Sequence, residues 1–131
     1  LTQALALKTM FPDYWKDFTG EHNLIGVSAH LSEREDLSGV GADLQFLTEA
    51  QATEEMTECW PGIGVAEDGY VPVACCSLGS GDYYYINRTE GPNGPLFRVY
   101  HDSVGPDGYD PETAVDRVLD NYALILSHLE R

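Results

Sequence analysis

His101 stands beside Asp102 at the end of an apolar, aromatic run, Leu96-Phe97-Arg98-Val99-Tyr100. An imidazole next to a carboxylate is the raw material of general-base chemistry. Such a base needs a third group, a nucleophile or a substrate proton, within hydrogen-bond reach. Neighbours on a strand point to opposite faces, so the pair reads as a strand end with Asp102 capping the turn, and a small hydrolase built on His101 is the weakest reading. Ser80, in Gly79-Ser80-Gly81, lacks the two-residue offset of a nucleophile elbow and reads as a turn. Gly39-Val40-Gly41 and Gly62-Ile63-Gly64 lack the later glycine of a dinucleotide loop. Asp102, Asp107 and Asp110 do not alternate as calcium ligands do. The histidines His22, His30, His101 and His128 have no zinc-ligand spacing. The expectation is a chain without a catalytic centre, a metal or a cofactor.

The charge carries more information. Twenty-two acids face seven bases, a formal net charge of -15. Such a field repels phosphate backbones and anionic membranes and accelerates encounter with a basic protein. Between Glu33 and Asp68 ten acids accompany the single base Arg34. Within that stretch Glu54, Glu55 and Glu58 form a candidate docking face. Asp82, Tyr83 and Tyr85 are the second candidate contact group, since outward tyrosines favour interfaces. A base-stacking role for Tyr83-Tyr84-Tyr85 is opposed by the surrounding charge. Cys59, Cys75 and Cys76 form no CxxC, and the adjacent pair would point to opposite faces of a strand; they read as reduced thiols of a cytoplasmic protein. No run of 18 apolar residues is present to span a membrane.

The elements that must position these groups can be read from capping and periodicity. A chain of 131 residues is long enough for one domain that buries roughly 65–70% of its unfolded surface, and nothing divides residues 1–131 into two. Pro12 suits the first turn of a helix carrying Trp15 and Phe18 and ending near residue 22 at Gly20 and Asn23. Leu5 and Leu7 suggest an earlier helical turn. Residues 23–41 read as loop, and residues 42–47 alternate like a half-buried strand. Thr48 and Gln51 form a capping-box pattern for a helix that stops at Pro61-Gly62. That helix would turn Ala52, Met56, Cys59 and Trp60 to the core and Glu54, Glu55 and Glu58 to water. Strands are expected over 63–66, 70–76, 82–87 and 96–101, with antiparallel neighbours because the connections are short. Asp110-Pro111-Glu112 opens a terminal helix whose apolar stripe runs from Ala114 through Val118 and Tyr122 to Leu129. The expected fold is α+β, a mainly antiparallel sheet packed by N-terminal, middle and C-terminal helices.

Several motifs in this order resemble the SUKH superfamily. Pro12, Trp15, Phe18 and Asn23 fit its opening signature, although Leu24-Ile25 stand where the family has Gly-Gly. Val71-Pro72-Val73-Ala74, Gly81-Asp82 and the strand closing in Tyr100-His101-Asp102 are similar to its later motifs. The resemblance covers nearly the whole chain. It implies a helix-and-sheet fold and, for the bacterial members, a cytoplasmic immunity protein that neutralises a toxin, often a nuclease, by binding it. The alternative it implies is a regulatory interaction module.

Overall fold

The computed structural model describes residues 11–131; Leu5 and Leu7 lie outside the described residues. Helix α1 spans Asp13–His22, with the Pro12 carbonyl accepting from the N–H groups of Trp15 and Lys16. Asn23, at φ 52, ends it in the left-handed conformation that asparagine tolerates. Trp15 is fully buried and meets Tyr122 edge-on at 5.1 Å, with Phe18 at 4.9 Å from the same ring. These contacts fasten α1 to the segment that begins at Tyr122, and Trp15 also meets the sheet at Phe46, 6.1 Å away.

Strand β1, Ser28–Leu31, lies inside the stretch expected to be loop. It is only four residues long, too short for its alternation to declare itself, and it is made a strand by pairing with β2, Ala42–Phe46, in the register His30↔Asp43. Helix α2, Glu49–Glu58, has the expected capping box: Gln51 N–H donates to Thr48 Oγ1, and Thr48 N–H to Gln51 Oε1. Residues 63–66 do not form a strand. Gly62–Val65 make a single helical turn, α3, because the Pro61 carbonyl captures the N–H groups of Gly64 and Val65. Gly62 is required there, since a Cβ would lie 2.1 Å from the Glu55 carbonyl oxygen.

Strands β3 (Tyr70–Cys76), β4 (Tyr83–Asn87) and β5 (Leu96–Val99) follow the sequence expectation closely. The C-terminal stripe does not. Asp110 Oδ1 caps Glu112 N–H as expected, but the helix, α4, stops after Pro111–Ala114. The chain then runs as β6, Val115–Leu119, along the free edge of β5. A 3₁₀ segment, Tyr122–His128, and a short β7, Leu129–Glu130, complete the chain. Ala114, Val118, Tyr122 and Ile125 are buried as the stripe required, but strand pairing overrode helical propensity at Val115 and Val118. The sheet has seven strands in the order β6-β5-β4-β3-β2-β1-β7, every paired neighbour antiparallel. The α+β class is as expected.

Side chains on the two faces of the sheet join two apolar clusters. The larger gathers Trp15, Leu44, Val73, Tyr84 and Ile125; the smaller gathers Val65, Tyr85, Val99, Val104 and Ala114. Set within the larger one is a charged network. Arg98, 3% exposed, donates from Nη1 to Asp36 Oδ2 (3.2 Å) and Ser38 Oγ (2.8 Å). Its Nη2 donates to the Gly41 carbonyl (2.5 Å) and the Tyr84 hydroxyl (3.0 Å). Burial opposes the charge of Arg98, but Tyr84 and Asp36 outweigh it and hold the guanidinium above its ordinary pKa. Removing one partner of a buried pair leaves the other charge uncompensated. Arg98→Leu should therefore cost about 3–5 kcal/mol in urea denaturation, with limited proteolysis cutting first between residues 32 and 41.

Candidate functional site

Antiparallel order brings the end of β1, the start of β2, the end of β3, the start of β4 and the end of β5 to one end of the sheet. The 32–41 and 77–82 connections rise from that end and enclose a groove of about 500 Å³. Leu31, Tyr84 and Arg98 form part of its lining, and Glu33, Asp43 and Asp82 contribute three carboxylates from three separate elements. Val40 and Leu78, 58% and 76% exposed, supply apolar surface.

Two of those carboxylates are held by histidines. His30 Nδ1 lies 2.6 Å from Asp43 Oδ1 across the β1–β2 pair. His101 Nδ1 lies 2.6 Å from Asp82 Oδ1, and the His101 backbone N–H donates to the same oxygen at 3.0 Å. The hydrogen bond to the carboxylate is the main cause that raises each imidazole above its usual pKa. His101 Nε2 also meets Asp102 Oδ1 at 3.0 Å. A continuing strand would turn Asp102 to the opposite face from His101. Because β5 ends at Val99 and residues 101–103 coil into a 3₁₀ turn, the Asp102 carboxylate reaches the His101 ring instead. His101 therefore has a carboxylate near each ring nitrogen, hydrogen-bonded at Nδ1 and within ion-pair distance at Nε2. Gly81, at φ +87, lies against that ring, where a Cβ would come within 3.2 Å of Cε1. Ser80 serves its turn, accepting the Asp82 N–H. Cys76 also borders the groove: burial resists its ionisation, but the Ser80 hydroxyl and the backbone groups of residues 78–80 lower its pKa overall.

The expected contact residues divide. Asp82 lines the groove. Glu54 and Glu58 are exposed on α2, as foreseen, and Tyr83 is half-buried. Glu54, Glu55, Cys59, Cys75 and Tyr83 instead border a smaller pocket of about 260 Å³ beside α2. Glu55 and Tyr85 need correction as surface contacts, being 4% and 0% exposed. Tyr85 sits on a central strand covered on both faces, within the smaller apolar cluster. Glu55 is drawn inward because the chain doubles back at Pro61, and the Gly62 N–H uses its carboxylate as acceptor at 3.2 Å. The same reversal leaves Trp60, expected in the core, 43% exposed, and Cys59 half-buried. Glu33, His30, Asp43, Val40 and Leu78 carry no signal of a site in the sequence. They lie on four segments, and no local pattern reports that those segments converge.

Neither a family model, nor a curated protein, nor a solved structure matches this chain. No group of three or more potential metal ligands occurs among the described residues.

Glu55 yields a direct test of the α2 packing. Burial pushes its carboxyl from 4.5 to about 6, against the favourable bond from Gly62. An acid with a raised folded-state pKa binds an extra proton in the fold, so stability is greatest below about 4.5 and falls as pH rises to about 6. The ionised group then carries a penalty of about 2 kcal/mol. Glu55→Gln keeps an acceptor for Gly62. It should stabilise the protein by about 1–2 kcal/mol near pH 7.5 and by little near pH 4, in urea titrations at both pH values.

Proposed function

We propose that this protein acts by binding rather than by catalysis: it captures a basic protein and occludes it, as an immunity protein neutralises a nuclease-type toxin in the cytoplasm. The observation that carries the reading is the placement of the negative charge. Of the 22 acids, all but Asp36 and Glu55 reach the surface. Among the described residues, lysine and arginine pair with two of those surface acids, in Lys16–Glu49 and Arg117–Asp120. Such a surface draws a cationic protein from beyond contact distance and resists nucleic acid. A nuclease has to be cationic where it holds its substrate, so a carboxylate-bearing surface can mimic the nucleic acid it would otherwise grip. The motif order shared with the SUKH superfamily supports the same reading, and the engagement of both His101 nitrogens speaks against a hydrolase built on that residue.

The test is co-expression with any neighbouring gene that encodes a cytotoxic protein, followed by affinity capture and binding kinetics across a salt series. A basic protein should be captured and the host rescued. The association rate should fall by about tenfold or more between low and high salt, because screening shortens the reach of the field to about 8 Å or less at and above physiological ionic strength. No rescue with no complex, or a complex formed with an acidic partner at a salt-independent rate, would overturn the reading.

A further inference from the structure

We propose that the groove at the sheet end is the docking site for a lysine or arginine side chain carried on an apolar segment of the partner, and that His30 and His101 set how acidic that site is. This rests on the reading that the partner is a basic protein, and adds where and how it is held.

The groove differs from the rest of the acidic surface in combining negative charge with exposed apolar area. Leu78 is the most exposed of the large hydrophobic side chains among the described residues, and Val40 follows it. Both stand on the groove that Glu33, Asp43 and Asp82 line. A cationic head with an aliphatic stem matches that mixture: the stem covers the apolar wall while the head meets the carboxylates. Arg98 does not oppose such a guest. Its charge is matched by Asp36, and its Nη groups are already engaged by Asp36, Ser38, Gly41 and Tyr84.

The histidines make this acidity adjustable. His30 faces Asp43, with Glu35 and Glu130 contributing to its field. His101 faces Asp82 and Asp102. While both imidazoles are protonated they offset the charge of Asp43 and Asp82, leaving Glu33 as the unmatched groove carboxylate. The neighbouring acids hold those protons to a higher pH than a free histidine would. As pH rises through that range the imidazoles become neutral and the groove becomes more negative. A cationic guest therefore binds more tightly in mild alkali than in mild acid.

The experiment is an amide-resolved NMR titration of the full chain with a capped Leu-Arg-Leu-Lys-Leu peptide, against a control peptide with Glu in place of Arg and Lys. The basic peptide should shift the amides of Gly41, Ser80 and Asp82, and bind about threefold or more tightly near pH 8.5 than near pH 6. Glu33→Gln with Leu78→Ser, both at exposed positions that leave the fold intact, should weaken binding about fivefold or more. Glu54→Gln with Glu58→Gln should leave it unchanged. His30→Gln with His101→Asn should flatten the pH dependence and raise the affinity near pH 6. If the α2 double variant abolishes binding and the groove variant does not, the groove assignment falls and the basic-partner reading stands. If the basic peptide binds no better than its control anywhere, both fall. An affinity that decreases with rising pH would overturn the histidine role.

Discussion

A guanidinium inside an apolar core has to be matched where it lies, because the cost of stripping water from it is several kcal/mol before any partner is counted. Arg98 meets that requirement by drawing in four groups, and three of them, Asp36, Ser38 and the Gly41 carbonyl, belong to one loop. The segment from Ser32 to Gly41 is consequently fixed over the sheet rather than left to solvent. Asp36 strengthens the arrangement by accepting the Ser38 N–H and hydroxyl at 2.8 and 2.7 Å. A further backbone bond, from Leu37 N–H to the Val118 carbonyl, ties the loop to β6. One wall of the groove therefore depends on a single buried ion pair, Arg98–Asp36.

Antiparallel order accounts for the rest of the site. In such a sheet every second strand end emerges on the same side, so short loops far apart in sequence become neighbours. Glu33, Asp43 and Asp82 meet for this reason, not through any local motif. The His30–Asp43 and His101–Asp82 contacts follow from the same geometry, one across a strand pair and the other between the turn before β4 and the end of β5. Charge on the rim is set by strand register, and a one-residue slip in either pair would separate histidine from carboxylate.

Local chemistry was legible wherever it was sufficient. Thr48 and Gln51 announce α2, Asp110 and Pro111 announce α4, and the Gly-rich turn before Asp82 separates β3 from β4. What sequence could not convey were choices made by distant partners. The stripe from Ala114 to Leu129 satisfies helical spacing, yet β5 needed a neighbour, and the Tyr100 N–H to Ala114 carbonyl bond begins the pairing that unrolls it. Glu55 reads as a solvated helix residue until the return of the chain at Gly62 supplies a donor above it. Arg98, in an otherwise apolar strand, was the one visible clue to the buried network, but its acid lies 62 positions away.

The two tryptophans occupy opposite circumstances. Trp15 is sealed among Phe18, Phe46 and Tyr122, whereas Trp60 leaves 43% of its surface in solvent beside α3, its ring within 2.8 Å of where a Cβ on Gly64 would stand. Their emission is therefore separable: an aqueous quencher reaches one indole and spares the other. The molecule carries its own pair of optical gauges, a blue-shifted one for the seating of α1 and a red-shifted one for the bend between α2 and α3.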